Sequence, residues 1–296
     1  FSTPTWQRLW WEEFGTEYEL LLFSFQGNNG LEAIAPLMKK DGYVSLIGSS
    51  DVCDYMDVIV RKGSEQEVYD TLVDLLMEWD WKSLSLSGIS ATSPTFKYLP
   101  DLLREQNLSV EIMAEDVCPK IALPTTWDDY LAGLKKKDRH ELRRKIRRLY
   151  NAGDARYDVV QNSEGFTENL EEFLSLLVDS RADKAQFMTS ERKGFFHSAL
   201  SRMAEQGYAK LLFLELDGVR VSSAVCFDYN NSYFLYNSGY DNNYASLSVG
   251  LLLKAFCLKE AIEAGREQFD FLRGAETYKY HLGAVDEPVY RILATR

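Results

Sequence analysis

Long apolar runs, histidine and cysteine are scarce in this sequence, and each scarcity excludes a class of protein. No uninterrupted apolar run approaches the roughly 18 residues that a membrane-spanning helix needs. The 4 cysteines have no metal-ligand spacing, and the 3 histidines form no Ser-His-Asp pattern. We therefore expect no metal and no nucleophilic triad. So few cysteines fit a reducing compartment, and we expect a cytoplasmic protein without a transmembrane segment.

The composition is that of a folded protein with an acidic surface. The 296 residues suit two domains of ordinary size, and 46% of them are hydrophobic, enough to form real cores. The formal net charge of −12 argues against a general nucleic-acid coat, because phosphate neutralisation needs a cationic surface.

The order of predicted elements occurs twice along the chain. A hairpin, a third strand, a helix and a closing strand are predicted in each half. Side-chain identity between the halves is low, so the repeat lies in element order. We predict two related α/β domains with mixed sheets, residues 1–118 and 119–296. The predicted elements are strands 19–26 and 31–38 joined by a turn at 27–30, strand 43–47, a helix behind the capping box of Ser64 and Glu67, and strand 82–87, then strands 209–216, 219–229 and 232–238, helix 248–264 and strand 268–272.

The segment between the repeats is predicted to be mostly helical. Thr126 is a good N-cap for one long helix from Trp127 to about Asn151, which Gly153 ends. Its stretch 134–149 is dense in lysine and arginine, and Arg139, Arg143 and Arg147 follow one another at intervals of four along an outer edge. This helix could attract an anionic ligand, or it could be a solvated face neutralised by acids elsewhere.

The last quarter of the chain holds the candidate site. The predicted helix begins with small residues, and free backbone N–H groups at a helix start favour an anion. The strand that follows leads into acids, bases, a phenol and an amine, a mixture typical of a reaction centre. The helix start comprises Ser246, Ser248, Val249 and Gly250, and the strand end comprises Asp270, Arg273, Glu276, Tyr278 and Lys279. The first half differs at both places. Its helix start, Lys62-Gly63-Ser64-Glu65, contains an acid, and its closing strand, Ser83-Leu84-Ser85-Leu86-Ser87-Gly88, lacks the reactive groups.

Three stretches of this sequence resemble a known family. They are residues 134–144 (LKKKDRHELRR), 246–250 (SLSVG) and 270–279 (DFLRGAETYK). With Asp54-Tyr55-Met56-Asp57 they resemble the FemAB-like, CelD-type branch of the GNAT acyltransferase superfamily. The resemblance implies two tandem GNAT-like domains with helices packed on central, mostly antiparallel sheets, of which the second holds the donor. It implies direct transfer of an acyl group from acetyl-CoA or another acyl-CoA to an amine or hydroxyl.

Within this resemblance, each candidate residue has an expected role. The donor is expected to lie against Tyr236, Asn237 and the helix start at Ser246, Ser248, Val249 and Gly250. Glu276 or Asp270 is expected to act as base, and Tyr278 to return a proton to the leaving thiolate. Acceptor contacts are expected from Asp54, Asp57, Arg139, Arg143, Arg273 and Lys279, although Asp54 and Asp57 are equally typical of turn residues with local hydrogen bonds.

The acceptor and the donor stay open at this stage. A small-molecule or glycan-type acceptor, such as a cell-envelope or polysaccharide precursor, is compatible with the sequence. A second interpretation is aminoacyl transfer from tRNA to a peptidoglycan-type precursor, with the basic helix contacting RNA. A third is a non-catalytic module that binds an anionic partner.

Overall fold

The computed structural model describes residues 1–27 and 30–296, so the predicted turn at Asn28 and Asn29 lies outside the described residues. The chain divides into two compact units. The first contains Phe1–Val117 and Glu287–Arg296, and the second contains Cys118–Asp286. The first boundary falls next to the one expected from sequence. The last ten residues, however, lie in the first unit rather than the second.

The first unit begins with a helix whose punctuation follows the prediction. Pro4 opens the helix, and the Thr3 hydroxyl accepts a hydrogen bond from the Trp6 N–H at 3.3 Å. Its elements are α1 (Pro4–Phe14), β1 (Glu19–Gly27), β2 (Gly30–Lys40), β3 (Tyr43–Leu46), β4 (Ile59–Val60), α2 (Glu65–Glu78), β5 (Ser83–Ser90), α3 (Pro94–Glu105) and β6 (Ser109–Val117).

The second unit contains most of the helices and the apolar core of the candidate site. Its elements are β7 (Lys120–Ala122), α4 (Trp127–Gly133), α5 (Lys136–Ala152), β8 (Ala155–Val160), α6 (Ser163–Ser180), α7 (Ala182–Phe187), α8 (Ser190–Glu205), β9 (Ala209–Leu216), β10 (Val219–Tyr229), β11 (Ser232–Tyr240), α9 (Val249–Glu263), β12 (Gln268–Asp270) and α10 (Thr277–His281). The chain then returns to the first unit as β13 (Pro288–Thr295).

Each unit is built on one mixed sheet. In the first unit the strands lie in the order β1-β2-β3-β5-β13-β6, with β4 also pairing with β2. In the second the order is β7-β12-β11-β10-β9-β8. The predicted mixed α/β fold with two mostly antiparallel sheets is therefore confirmed.

The repeat predicted from element order is visible in the pairing of strands. In the first unit β3 and β5 pair in parallel, and α2 connects them. In the second unit β11 and β12 pair in parallel, and α9 connects them. Each parallel pair is preceded by an antiparallel hairpin, β1–β2 or β9–β10.

Two local predictions were wrong. The long basic helix is broken between α4 and α5, because Leu134 adopts an extended conformation (ψ 148°) and packs inward with 7% exposure. Ser64 does not form the expected capping box, since its hydroxyl donates to the Glu32 carboxylate at 2.6 Å. In both places a tertiary contact overrides the local signal.

Candidate active site

The start of α9 presents free backbone donors. Ser248 precedes the helix in a left-handed conformation (φ 61°, ψ 34°), and its carbonyl accepts from the N–H groups of Leu251 and Leu252. The N–H groups of Val249 and Gly250 donate to no acceptor among residues 1–27 and 30–296. They are orphan donors at the positive end of the helix dipole.

Two cations of α5 converge on this helix start. Lys145 Nζ donates to Ser248 Oγ at 3.0 Å, and an Arg148 guanidinium nitrogen donates to the same oxygen at 3.2 Å. The Arg148 Nε is buried and has no hydrogen-bond partner within the described part of the chain. The first turn of α9 contains no acid. Positive charge is therefore concentrated where the helix dipole is already positive, a costly arrangement that an anion would relieve.

Gly250 packs closely against the ring of Tyr240. A Cβ on Gly250 would lie 2.8 Å from the Tyr240 ring, so a larger residue would displace that ring. Ser246 is exposed in the 3₁₀ turn Asn242–Leu247, before the helix begins. Of the predicted helix-start residues, Ser248, Val249 and Gly250 thus lie at the start of α9 itself.

The strands β11 and β12 separate beside this helix. They pair in parallel from Ser232 with Gln268 to Phe234 with Asp270, and in the described part of the chain no strand continues along that edge of β11. The register with β10 shifts at this point, because Val225 pairs with Asn237 and Cys226 with Leu235. Tyr236 is the extra residue, so β11 bulges where its neighbour departs.

Tyr278 and Lys254 lie close together and both have shifted pKa values. Tyr278 is partly buried, and burial raises its pKa well above the ordinary value, so the phenol stays protonated at neutral pH. Lys254 Nζ lies 4.9 Å from the centre of the Tyr278 ring and donates to the Gly250 carbonyl at 3.0 Å. Burial lowers the pKa of Lys254 to about 8.

Glu276 and Lys279 form an ion pair at the start of α10. Lys279 is 1% exposed, and its Nζ lies 2.9 Å from the Glu276 carboxylate. The same Nζ donates to the carbonyls of Leu272, Arg273 and Gly274 at 3.0, 2.9 and 2.8 Å. Partial burial raises the pKa of Glu276, but the hydrogen bond and charge of Lys279 outweigh it, and the pKa lies below its usual value. Lys279 therefore holds the loop after β12, and Glu276 is ionised.

Asp270 is a structural carboxylate at the end of β12. It is fully buried, accepts from the Leu272 N–H at 2.7 Å, and lies 3.5 Å from Lys120 Nζ. Leu272 adopts a left-handed conformation (φ 57°), so this hydrogen bond fixes the turn that leads toward Tyr278. Zero exposure leaves no approach for a substrate to this carboxylate.

Sequence reasoning missed Lys184 and Lys254. Lys184 Nζ donates to Asn237 Oδ1 at 3.1 Å and also to the Ser238 carbonyl, next to the bulge in β11. Burial and the charge of Lys254 lower the pKa of Lys184 to about 8. The sequence does contain a signal for Lys254, because this lysine follows the apolar residues that begin α9. Nothing in the sequence marks Lys184, because α7 is short and polar.

The basic residues predicted to bind an acceptor lie in different surroundings. Arg139 donates to the Ala132 carbonyl at 2.9 Å and so supports the end of α4. Arg143 is exposed on α5, and Arg273 is partly buried in the loop after β12.

The two N-terminal aspartates lie between β3 and β4 in the first unit. Asp57 accepts from the hydroxyls of Ser93 and Thr95 and from the Val58 N–H, and burial raises its pKa. It thereby supports the start of α3, and of these three hydrogen bonds only the one from Val58 is local. Asp54 is half-buried.

The described residues contain neither a metal-ligand cluster nor a membrane-spanning helix. No group of three or more His, Cys, Asp or Glu side chains within the described ranges could hold a metal ion. No helix among the residues that the structure describes has both the length and the apolar character to cross a membrane. All four cysteines, Cys53, Cys118, Cys226 and Cys257, are buried.

The geometry of the second unit agrees with a family comparison. Residues 136–280 match the family model described as Acetyltransferase (GNAT) domain. The match spans α5 through α10 and includes the α9 start, the separated strands and Tyr278. The class of protein is thus a transferase with a GNAT acetyltransferase domain. The match to a GNAT domain over this part of the chain agrees with the resemblance seen in the sequence.

Solved structures extend the likeness to both units. A structure described as FemX is 11% identical and has a TM-score of 0.64, with 97% of this chain and 90% of that chain covered. The C-terminal domain (DUF2156) of a putative lysylphosphatidylglycerol synthetase from Agrobacterium fabrum is 11% identical at a TM-score of 0.62, covering 98% and 87%. A conserved protein of unknown function from Bacteroides thetaiotaomicron is 12% identical and has a TM-score of 0.62, with 99% of this chain and 90% of that chain covered. The TM-scores show that these proteins share the fold of this chain. No curated protein matches the sequence.

Proposed function

We propose that this enzyme transfers an acyl group directly from an acyl-CoA to an amine or hydroxyl acceptor. The observation that carries the proposal is the convergence of Lys145 and Arg148 on Ser248 at the start of α9. A diphosphate there would accept hydrogen bonds from the free N–H groups of Val249 and Gly250 and would neutralise the charges of Lys145 and Arg148. Acetyl-CoA is the simplest donor of this kind.

The reacting end of the donor would lie near Tyr278. Ser248 and Lys254 are six residues apart, so they lie about 9 Å apart along the α9 axis. An extended arm can run from the diphosphate past Tyr236 and Asn237, along the β11 edge that β12 leaves, to the phenol. The thioester would then lie between Tyr278 and the polar group around Lys184.

The chemistry we propose needs one acid and one base. The acceptor nitrogen or oxygen attacks the thioester carbon while a base removes its proton, and the carbon–sulfur bond then breaks. Protonated Tyr278 gives its proton to the departing thiolate, and the nearby Lys254 ammonium stabilises the phenolate. Ionised Glu276 can take the acceptor's proton through a water molecule. No covalent enzyme intermediate is involved, so the cysteines are dispensable.

Some residues predicted to act in the reaction are better suited to supporting it. We assign Asp270 and Lys279 to holding the loop between β12 and α10, because their side chains are buried and already bonded. With Lys279 assigned to the loop, Arg273 is the remaining predicted acceptor contact nearest in sequence to Tyr278. Asp54, Asp57, Arg139 and Arg143 stay predictions for acceptor binding. A cell-envelope or polysaccharide precursor is the acceptor class we favour.

A thiol-release assay tests the proposal. The protein is incubated with acetyl-CoA and a panel of amines, amino sugars and hydroxyl acceptors, and free thiol is measured over time. Acetyl-CoA should also raise the melting temperature, since a ligand that binds the native state stabilises it. If no CoA thioester shifts the melting temperature and none is consumed, the acyl-CoA proposal is wrong.

The exposed outer edge of α5 favours a second candidate function. Arg143 and Arg147 are exposed on α5, and the likeness to FemX extends over the fold. A polyanion such as an aminoacyl-tRNA could lie along this edge and donate an aminoacyl group instead. Binding of tRNA would then fall with rising salt and be lost in Arg143→Glu. If tRNA binding changed neither with salt concentration nor in Arg143→Glu, this second function would be excluded.

A further inference from the structure

The strand β1 forms an open edge of the first sheet. It pairs with β2 on one side, and no other strand in the described ranges pairs with its second side. None of its residues is buried, and Leu20 and Leu22 are 46% and 55% exposed. Folded proteins usually protect such an edge with lysine, proline or a bulge, because its unpaired backbone groups can bind another strand. In β1 the one charged residue is Glu19, and the register shifts only between Phe25 and Gln26, near the end of the strand.

An apolar groove follows this edge on the face of the sheet next to α1. Leu20, Leu22 and Ser24 alternate along β1, so their side chains share this face, and all three line the groove. Trp11 of α1 and Ile59 of β4 line it as well. The groove has a volume of about 510 Å³, enough for apolar side chains of an adjacent segment. We call it the α1 groove.

A second pocket borders the same strand on the face next to α2. Phe23 and Phe25, which alternate with the residues of the α1 groove, line this pocket together with Glu32 and Glu67, and its volume is about 270 Å³. Glu32 lies 3.3 Å from Arg61, whereas Glu67 makes no ion pair among the residues that the structure describes. A carboxylate near aromatic rings suits an ammonium or guanidinium group. We call it the α2 pocket.

The first unit is strongly acidic. It contains 10 lysine and arginine residues against 21 aspartate and glutamate residues, so it accounts for −11 of the net charge of −12. Such a charge attracts a basic partner, and it repels a nucleic acid, an anionic membrane surface and a second copy of the same unit. The charge therefore favours a basic polypeptide as the occupant of the open edge.

We propose that β1 binds an extended basic segment of a partner protein as an additional strand. Main-chain hydrogen bonds to the open edge supply affinity in this mode of recognition, and pockets for alternate side chains supply specificity. Every second side chain of the segment is apolar and enters the α1 groove. The side chains between them are lysine or arginine and reach Glu67 in the α2 pocket. This interaction does not depend on the acyl transfer proposed above.

Binding of synthetic peptides to the intact chain tests the required alternation. The probe is a short fluorescent peptide in which valine and lysine alternate. One comparison peptide has the same composition with the valines and lysines in separate blocks, and another has glutamate in place of lysine. We expect the alternating peptide to bind about tenfold more tightly than either, because charged hydrogen bonds contribute about 1.5 kcal/mol or more. Equal binding of the block peptide, or no binding of the alternating one, would overturn the proposal.

Two variants with matched controls locate the peptide. Glu67→Lys and Leu22→Lys place a positive charge in the α2 pocket and at the α1 groove, and each should weaken binding about tenfold. Asp74→Lys and Leu31→Lys make the same changes at exposed residues that line neither pocket, and binding should change less than about twofold. If Glu67→Lys and Asp74→Lys lost affinity equally, the peptide would be held by diffuse charge, and the proposal would be wrong.

Hydrogen exchange distinguishes strand addition from other ways of binding. The alternating peptide should slow the exchange of β1 amides, because N–H groups on the open edge become hydrogen-bonded, and should leave α9 unchanged. Binding without protection of β1 would contradict strand addition. Sedimentation without peptide checks the remaining occupant. If the chain alone were a dimer that Leu22→Lys dissociates, the edge would be an interface between two copies, and the basic partner would be excluded.

Discussion

The helices α2 and α9 occupy equivalent places in their units, yet their starts carry opposite charge. At α2, Glu65 and Glu67 fill the first turn, and the Glu65 carboxylate accepts from the Gly63 N–H at 2.8 Å. At α9 the first turn has no acid, and Lys145 and Arg148 point at its N-cap. Acidic side chains of the first helix thus complement its own dipole, whereas at the second helix we propose that an external anion does so. Equivalent topology therefore does not give equivalent function.

Reversing the charge at α9 should have the largest effect. In the double variant Lys145→Glu and Arg148→Glu, two attractions for phosphate become repulsions, and we expect acetyl-CoA binding to weaken about 1,000-fold. The change is measured as loss of the melting shift that acetyl-CoA produces. The double variant Arg143→Glu and Arg147→Glu is the control, since it changes the same charge on the exposed edge of α5. An equal loss there would show that net charge, rather than the α9 start, governs binding.

Removing the phenol should slow the reaction without weakening the donor. We expect Tyr278→Phe to lower the rate of acyl transfer about 100-fold, the effect typical of losing a general acid. The affinity for acetyl-CoA should change less than twofold, because the diphosphate contacts are intact. Thiol release and calorimetry measure the two quantities. A variant with an unchanged rate would exclude Tyr278 as the acid.

Lys254, a partly buried lysine in α9, is a further difference, since α2 contains no lysine. The folded-state pKa of Lys254 is about 8 and its ordinary value is 10.5. Between these values the unfolded chain binds more protons, so stability rises with pH in this window and is lower below pH 8. Lys254→Met should reduce the slope of unfolding free energy against pH in this window by up to about 1.4 kcal/mol per pH unit. Urea unfolding from pH 7 to 10.5 measures the slope. Parallel curves for the two proteins would contradict this assignment.

Neutralising the acids at α2 should have the smallest effect. Each of Glu65→Gln and Glu67→Gln removes a favourable interaction with the helix dipole, worth about 0.3–1 kcal/mol. We expect a loss of unfolding free energy of that size and no change in acetyl-CoA binding. Urea unfolding and the melting shift give both values. If either variant altered donor affinity, the two helix starts would not be independent.

The sequence was sufficient for the elements that local chemistry determines. Asp217 and Gly218 both adopt positive φ (53° and 80°), the conformation that a tight Asp-Gly hairpin turn requires. The strands β9 and β10 accordingly have the predicted bounds. The small residues at 248–250 likewise marked the helix start correctly.

Non-local contacts could not be predicted from the sequence. The strands β8 and β13 have no strong local signal, and β13 pairs with β5 some 200 residues earlier in the chain. The break at Leu134 follows from inward packing that no helix propensity encodes. The same holds for the site. The residues of α9 were visible in the sequence, but the approach of Lys145 and Arg148 depends on how α5 packs against it.

The position of β13 has a consequence for synthesis. This strand pairs with both β5 and β6 and completes the first sheet between them. The ribosome delivers it after every residue of the second unit, whose own sheet is by then fully translated. Domains fold as units while they emerge, so the second unit can form before the first is complete. Until then, the edges of β5 and β6 that pair with β13 have no partner strand. Until β13 emerges, the first unit is thus the part of this chain most exposed to aggregation.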